Sequence, residues 1–271
     1  MDRLRAAGMA LEKEDDVAGY LGVHMETRGD EIKLTQKGLT RRIIEALGVQ
    51  NDKVVNTPAS APLPMDKDGT PANGDFSYPS VIGMLQYLHS HSRPDITMAV
   101  SQCAQFVHSP KQSHEEALKR IGQYLRKTEN EGLIFKPSRD FTINCYVDAD
   151  FAGLWGHEDP NEPSVAKSQT GFVICISDCP VIWSSKLQTT IALSTMEAKY
   201  NVLSSAMQDL LPMLTLVTTV AKAVSIEDQV LTSFQTTVHE DNMGCLTLAN
   251  LEPGRITPRS KHYAIRTHWF R

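Results

Sequence analysis

A change of hydrophobic pattern near residue 132 is the feature of this chain that most constrains its fold. Apolar residues recur at helical spacing before it, and three strand-like segments follow it, FTINCYVDADFAG, TGFVICIS and PVIWSSK. A long helix over residues 194–223, a strand over 235–240 and a short helix over 242–250 come next. Three consecutive strands can form a meander, and the helix can return the chain to a parallel fourth strand. The pattern predicts an α/β (α+β) unit with a mixed sheet.

The first half of the chain predicts a smaller, mostly helical unit. Residues 17–35 indicate two strands around a turn at Arg28-Gly29-Asp30, and a helix over residues 36–47 follows. Residues 56–75 are rich in Pro, Gly, Asp and Asn, which predicts either a linker or a long wrapping loop. Helical spacing then predicts three helices, over residues 78–92, 94–108 and 113–128. Within the long helix of the second half, Pro212 is expected to kink or interrupt the helix.

Composition excludes some classes of protein. The 271 residues carry a net charge of −5, so no global basic field indicates nucleic acid. The five cysteines are scattered and odd in number, which favours buried, reduced thiols in an intracellular setting. No signal core and no membrane-length apolar run is visible. We therefore expect no membrane partner, and a cytoplasmic or nuclear location.

Three carboxylates are candidates for a functional site. Asp148 and Asp150 are two residues apart on a strand and share a face, so either a divalent cation neutralises them or both are exposed at the strand end. That pair alone favours exposure. Asp241 follows a strand and begins a helix, so it is a candidate for a helix N-cap as well as for a catalytic role. Glu240 is expected on the opposite side of the strand and not to act together with Asp241.

Several segments resemble one family. CYVDADFAG, SQTGFVICISDCPVIWSSKLQTTIALSTMEAKYNVLSSA, HEDNMGCLTLAN and RSKHYAIRTHWFR resemble the ribonuclease H region of copia-type LTR retrotransposon Pol polyproteins. YLGVHMETRGDEIKLTQKGL and the helices from Tyr78 to Thr128 resemble the end of the reverse transcriptase in the same polyproteins. The resemblance implies a thumb- or connection-like region over residues 1–130, without the polymerase palm. It also implies a ribonuclease H-like domain with a mixed five-stranded sheet over residues 131–271.

The resemblance also implies a chemistry. Such domains cut the RNA strand of an RNA–DNA hybrid with two Mg²⁺ or Mn²⁺ ions held by carboxylates. Asp148 and Asp241 match catalytic, metal-binding aspartates, and Asn242 stands beside the second of them. Two positions depart from the family pattern, because Lys199 occupies the place of the helix glutamate and Ala264 the place of a fourth acid.

Glu197 is the remaining candidate for a catalytic acid on that helix. It stands two residues from Lys199, which is a rotation of about 200° on a helix, so we expect it to face solvent, away from Asp148 and Asp241. It would need a local rearrangement to reach a metal. Lys199 is expected to pair with Asp148 or Asp241 and to suppress magnesium binding. The alternative is that Lys199 extends to solvent and one weakly held metal still binds.

The C-terminal tail is a candidate contact for nucleic acid. It is basic over residues 253–271, and the residues expected to hold phosphates, together with Asn242, are Arg255, Arg259, Lys261, His262 and Arg266. A solvated terminal segment is the alternative. The implied partners are an RNA–DNA hybrid and the rest of the Pol polyprotein, within a cytoplasmic virus-like particle for an intact element. We expect a folded domain with weak or absent nuclease activity; a working nuclease, a binding-only remnant and a functionless remnant remain the alternatives.

Overall fold

The first half begins with a small antiparallel sheet. The computed structural model describes residues 22–156, 158–159, 161–223, 235–251 and 270. Strands β1 (His24–Arg28) and β2 (Glu31–Thr35) form the predicted hairpin. Gly29 has a φ of +63° in its turn, a conformation that glycine adopts without strain. Strand β3 (Leu133–Phe135) pairs with β2, although it follows the predicted boundary at residue 130.

Four helices build the core of this half. They are α1 (Lys37–Ala46), α2 (Tyr78–His91), α3 (Thr97–Ala104) and α4 (Gln112–Lys127). The three helices predicted after residue 77 are confirmed, and the second is preceded by a 3₁₀ turn at Pro94–Ile96. Apolar residues at helical spacing, among them Leu85, Val100 and Ile121, are fully buried between these helices.

The Pro- and Gly-rich segment between α1 and α2 is a wrapping loop. Its carbonyl at Pro64 contacts the imidazole Nε2 of His114 at 3.0 Å. Its amides at Asn73 and Gly74 donate to the carboxylate of Glu115, which is buried at the start of α4. These contacts satisfy backbone groups that a free linker would leave to water, and they attach the loop to α4.

The second half contains the predicted mixed sheet. Strands β4 (Thr142–Asp150), β5 (Gln169–Ile176) and β6 (Cys179–Leu187) form an antiparallel meander, and β7 (Gln235–His239) pairs with β4 in parallel. The strand order is β6-β5-β4-β7. The fold class is confirmed, and within the described residues this sheet has four strands where five were expected.

One long helix covers one face of this sheet. Alternate residues of β4, from Ile143 to Ala149, are buried against α5 (Thr195–Ala223), and α6 (Met243–Ala249) packs beside it. Pro212 was expected to kink or interrupt α5; interruption is wrong, since the helix continues through it, and the kink stays a prediction. Pro212 lies on the exposed side, while Leu210 and Met213 on either side of it are buried, so packing holds the helix across the missing backbone donor.

The two halves touch through polar contacts. The indole Nε1 of Trp183 on β6 donates to the carbonyl of His89 at 2.9 Å, and the Gln169 amide donates to the Ser101 hydroxyl at 3.3 Å. These contacts place α3 over the face of the sheet that α5 leaves open. Among the residues that the structure describes, no helix is both long enough and apolar enough to cross a bilayer.

Candidate active site

The site lies where β7 ends beside the longer β4. The last pair in the parallel register is Tyr146 with His239, so Asp148, two residues further along β4, has no partner on β7. Asp241 follows β7 by two residues and reaches the same gap. Lys199, in the second turn of α5, extends into the gap from the helix side. Three elements that are distant in sequence thus contribute one side chain each.

Lys199 joins the two aspartates. Its ammonium Nζ donates to Asp148 Oδ1 at 2.8 Å and makes a second short hydrogen bond to Asp241 Oδ1. The lysine side chain is only 9% exposed, whereas the carboxylates are 78% and 80% exposed. The predicted salt bridge is therefore confirmed, with both aspartates as partners rather than one. The alternative, in which Lys199 extends to solvent, is wrong.

The pKa values of Lys199 and Asp241 reflect these hydrogen bonds. Burial acts to lower the pKa of Lys199, but the hydrogen bonds to Asp148 and Asp241 outweigh it, and the pKa is raised well above the usual value. The hydrogen bond from Lys199 lowers the pKa of Asp241. Lys199 therefore remains an ammonium, and its positive charge is fixed between the two carboxylates.

Glu240 belongs to the same cluster. Its side chain is 1% exposed, and its Oε1 lies 3.7 Å from Lys199 Nζ and accepts the backbone N–H of Asn242. Burial raises the pKa of Glu240. The expectation that Glu240 and Asp241 do not act together is wrong, because both contact Lys199. Side chains point alternately to opposite sides only within a strand, and β7 ends at His239, before both of these residues.

Glu197 has a structural role at the start of α5. It was expected to face solvent, but it is buried, and its carboxylate accepts the backbone N–H of Leu193 at 2.9 Å. Its own N–H donates to the hydroxyl of Ser194. The sequence Ser194-Thr-Met-Glu197 is a capping-box pattern, a signal in the sequence that the argument from helix rotation overlooked. Ser194 thus caps α5, and Glu197 completes the motif by accepting the N–H of the residue ahead of it.

The helix cap after β7 is Asn242 rather than Asp241. The Asn242 side chain accepts the backbone N–H of Cys245 at 2.9 Å, as an N-cap does. The Asp241 carboxylate is thereby left for Lys199. The basic residues proposed for phosphate binding, like Ala264, lie outside the described residues; they are Arg255, Arg259, Lys261, His262 and Arg266.

Two aromatic rings beside the site were not among the sequence-based candidates. Tyr146 and His239 stack with ring centroids 4.5 Å apart, and His239 Nε2 contacts Asn144 Oδ1 at 2.9 Å. Tyr146 is 48% exposed and shares the outer face of β4 with Asp148. Strand alternation, which places residues i and i+2 on one face, is the signal that identifies Tyr146.

The residues present do not fit a two-metal centre. Two cations need several carboxylate oxygens facing a common space, and here a lysine ammonium occupies the space between Asp148 and Asp241. Within the described ranges, no group of three or more His, Cys, Asp or Glu side chains is arranged to hold a metal ion. The arrangement is that of an acidic site neutralised by the chain's own cation.

Comparisons with known proteins identify relatives along most of the chain. It is 27% identical over 263 residues, 97% of its length, to the retrovirus-related Pol polyprotein from transposon RE2 of Arabidopsis thaliana. It is 30% identical over 210 residues, 76% of its length, to the corresponding polyprotein from transposon RE1 of the same plant. The matched regions are 17% and 14% of those two polyproteins, so the chain spans less than a fifth of either.

A third relative is much shorter. The secreted RxLR effector protein 161 of Plasmopara viticola is 36% identical over 132 residues, which are 49% of this chain and 87% of that protein. No protein-family profile matches the chain, and no solved structure matches it.

Proposed function

The chain belongs to the family of retrovirus-related Pol polyproteins from copia-type transposons, and from this premise we propose that residues 131–271 act as a ribonuclease H-like module with impaired cleavage. The proposed substrate is the RNA–DNA hybrid formed during reverse transcription. In this proposal the module binds the hybrid, and the reaction that cuts its RNA strand is slow or absent.

The meeting of Asp148 and Asp241 at the end of β7 is the observation that carries the proposal. Asp148 lies on β4 and Asp241 is the second residue after β7, 93 positions later in the sequence. Lys199 contacts both carboxylates at once. A carboxylate at position 199 would therefore stand beside both aspartates. This is the type of donor set that hydrolysis of a phosphodiester with two divalent cations requires.

Lys199 is the reason for proposing impaired cleavage. Its ammonium supplies positive charge between Asp148 and Asp241 but no oxygen ligand, and its Coulomb repulsion opposes entry of a divalent cation. Divalent metal would supply activated water in an intact site, whereas here Lys199 already offsets part of the carboxylate charge. The chain as it stands is therefore expected to cleave a hybrid slowly or not at all.

The deciding experiment compares three proteins on an end-labelled RNA–DNA hybrid in Mg²⁺ and in Mn²⁺. The parent chain is expected to give little or no cleavage, and Lys199→Glu is expected to gain it. Lys199→Met is the matched control, since it removes the ammonium without adding a ligand, and it should remain inactive. Adding Asp241→Asn to Lys199→Glu should abolish the gained activity, which would assign cleavage to this site and not to a contaminant.

The second candidate function is binding without any cleavage, as a catalytically dead remnant. The observation that favours it is the Lys199 bridge, together with Ala264 at a second position where the family resemblance leads us to expect an acid. In this case the hybrid binds, binding weakens steeply with salt, and Lys199→Glu gains no activity. Cleavage by the parent chain as fast as that by Lys199→Glu would contradict both candidates, because it would require metals to displace Lys199 without cost.

A further inference from the structure

A cleft separates the two halves on the face of the sheet that α5 leaves open. It has a volume of about 460 Å³, a size typical of small-molecule sites. One wall is formed by the 3₁₀ turn and α3, where Met98 is 50% exposed. The other is the outer face of β4, β5 and β6, with Tyr146 and Trp183 in one cross-strand row.

Gly171 forms the floor of this cleft. The cross-strand register places it between Asp148 on β4 and Ser185 on β6, so the row has a gap where other strand residues carry a side chain. A Cβ added at Gly171 would meet only the Asp148 carbonyl oxygen, at 3.8 Å, which is ordinary contact. The glycine is therefore not required by backbone packing, and its lack of a side chain opens space.

The walls are held at a fixed separation. The hydrogen bond from Trp183 to the His89 carbonyl ties β6 to α2, and Gln169 bonds to Ser101 on α3 and to Ser185 on β6. The cleft is thus a preformed feature of the junction between the two halves.

The charges that line the cleft are all negative. Three aspartates contribute to it, and among the residues that the structure describes no lysine, arginine or histidine does. Asp95 is already neutralised by Arg93, which donates to both of its oxygens, and Asp148 is paired with Lys199 through one oxygen. Asp150 is exposed and makes no ion pair with any described residue. The cleft therefore has a carboxylate available for a cation beside apolar and aromatic surface.

We propose that this cleft binds a linear aliphatic polyamine. Its ammonium groups would pair with Asp150 and with the second oxygen of Asp148, and its methylene segments would pack against Met98 and the rings of Tyr146 and Trp183. Neighbouring carboxylates beside apolar and aromatic surface match a chain of ammonium and methylene groups, and an aromatic face also attracts the cation itself. Asp148 also belongs to the proposed nuclease site, but spermine binding needs neither a hybrid nor a divalent metal, so this inference can hold where that function fails.

The experiment is a calorimetric titration of the whole chain with spermine at physiological salt. Saturable binding of one spermine is expected, and hexaamminecobalt(III), a compact trication without methylenes, should not compete for it. Gly171→Leu fills the floor and should abolish the saturable binding, whereas Gly171→Ala, which adds one methyl group, should largely retain it. Asp150→Asn should weaken affinity about three- to fivefold, as expected for one solvent-exposed charge pair, and Asp209→Asn on the outside of α5 should have no effect.

A second pair of variants tests the proposal even if Gly171→Leu fails to fold. Met98→Lys places a cation at the mouth of the cleft on a half-exposed position and should weaken spermine binding, whereas Leu216→Lys, on the exposed side of α5, should not. The proposal is overturned if spermine shows no saturable binding, if hexaamminecobalt(III) competes equally, or if Met98→Lys binds spermine as the parent chain does. Preferential binding of a nucleotide at the same cleft would also overturn it.

Discussion

The ammonium of Lys199 lies 2.8 Å from a carboxylate oxygen of Asp148, a residue 51 positions earlier in the chain. The same ammonium contacts Asp241 and lies 3.7 Å from Glu240, so one buried lysine offsets part of the charge of three carboxyl groups. Acidic sites commonly depend on a bound cation to offset the repulsion between their carboxylates. In this chain a side chain provides part of that charge.

Lys199→Met is therefore expected to destabilise the second half. It removes the positive charge that lies among three carboxylates. Because the two aspartates are mostly exposed, solvent screening limits the loss of unfolding free energy to about 1–2 kcal/mol. Lys199→Glu should be destabilised further, but Mg²⁺ should raise its melting temperature. Thermal unfolding of both variants and of the parent, with and without Mg²⁺, measures this. A parent melting temperature that rises with Mg²⁺ as much as that of Lys199→Glu would contradict the account.

Glu197→Gln tests whether this residue acts in capping or in catalysis. The carboxylate accepts a backbone N–H ahead of α5, and replacing it by a neutral amide should cost about 0.5–1 kcal/mol of stability. In the Lys199→Glu background, the same change should leave the rate of hybrid cleavage per folded molecule unchanged. Loss of cleavage without loss of stability would instead restore Glu197 as a metal ligand.

The wrapping loop should detach from α4 as the pH falls. His114 is buried, stacks on Phe106 at 3.8 Å, and its Nδ1 accepts the N–H of Lys111 while its Nε2 contacts the Pro64 carbonyl. Burial lowers the pKa of His114 below its usual 6.5. Its contribution to stability is therefore fully present above pH 6.5 and is lost as the pH falls through the lower, folded-state pKa.

Limited proteolysis of residues 56–75 between pH 8 and pH 5 measures that release. Cleavage in the loop should accelerate below pH 6.5 in the parent chain. His114→Asn should be cleaved faster at every pH and should have lost most of the pH dependence. His108→Asn, at an exposed position outside these contacts, is the matched control and should behave as the parent does.

Two helical glycines should respond in opposite directions to alanine. Gly83 on α2 is exposed and has open space around it, so Gly83→Ala should stabilise the chain by about 0.5–1 kcal/mol through helix propensity. A Cβ at Gly122 on α4 would lie 2.7 Å from Leu47 and 2.9 Å from Val49, both buried. There the clash should exceed the gain in propensity, for a net loss of about 1–2 kcal/mol. Chemical denaturation of the two variants compares them; equal effects would mean that α1 and α4 do not pack this closely.

Local sequence patterns were enough to identify most helices and strands and the faces that they bury. Periodicity of two placed Cys145 and Val147 in the core and Asp148 outside it, and periodicity of 3.6 located the helices, because both repeats follow from local backbone geometry. The ion pair between Lys199 and an acidic partner could also be predicted from the sequence, since charge and helix face are local properties. The Ser194–Glu197 capping pattern was equally local and should have predicted the buried glutamate.

Which residues from distant parts of the chain come into contact depends on the packing of the whole fold. That β3 pairs with β2 and not with the second sheet depends on how the two halves close on each other, which no repeat within a segment encodes. Lys199 reaches both aspartates because β7 ends two residues before the level of Asp148 and leaves a gap there. Glu240 joins the cluster for the same reason, since the alternation of a strand predicts side-chain direction only as long as the strand continues.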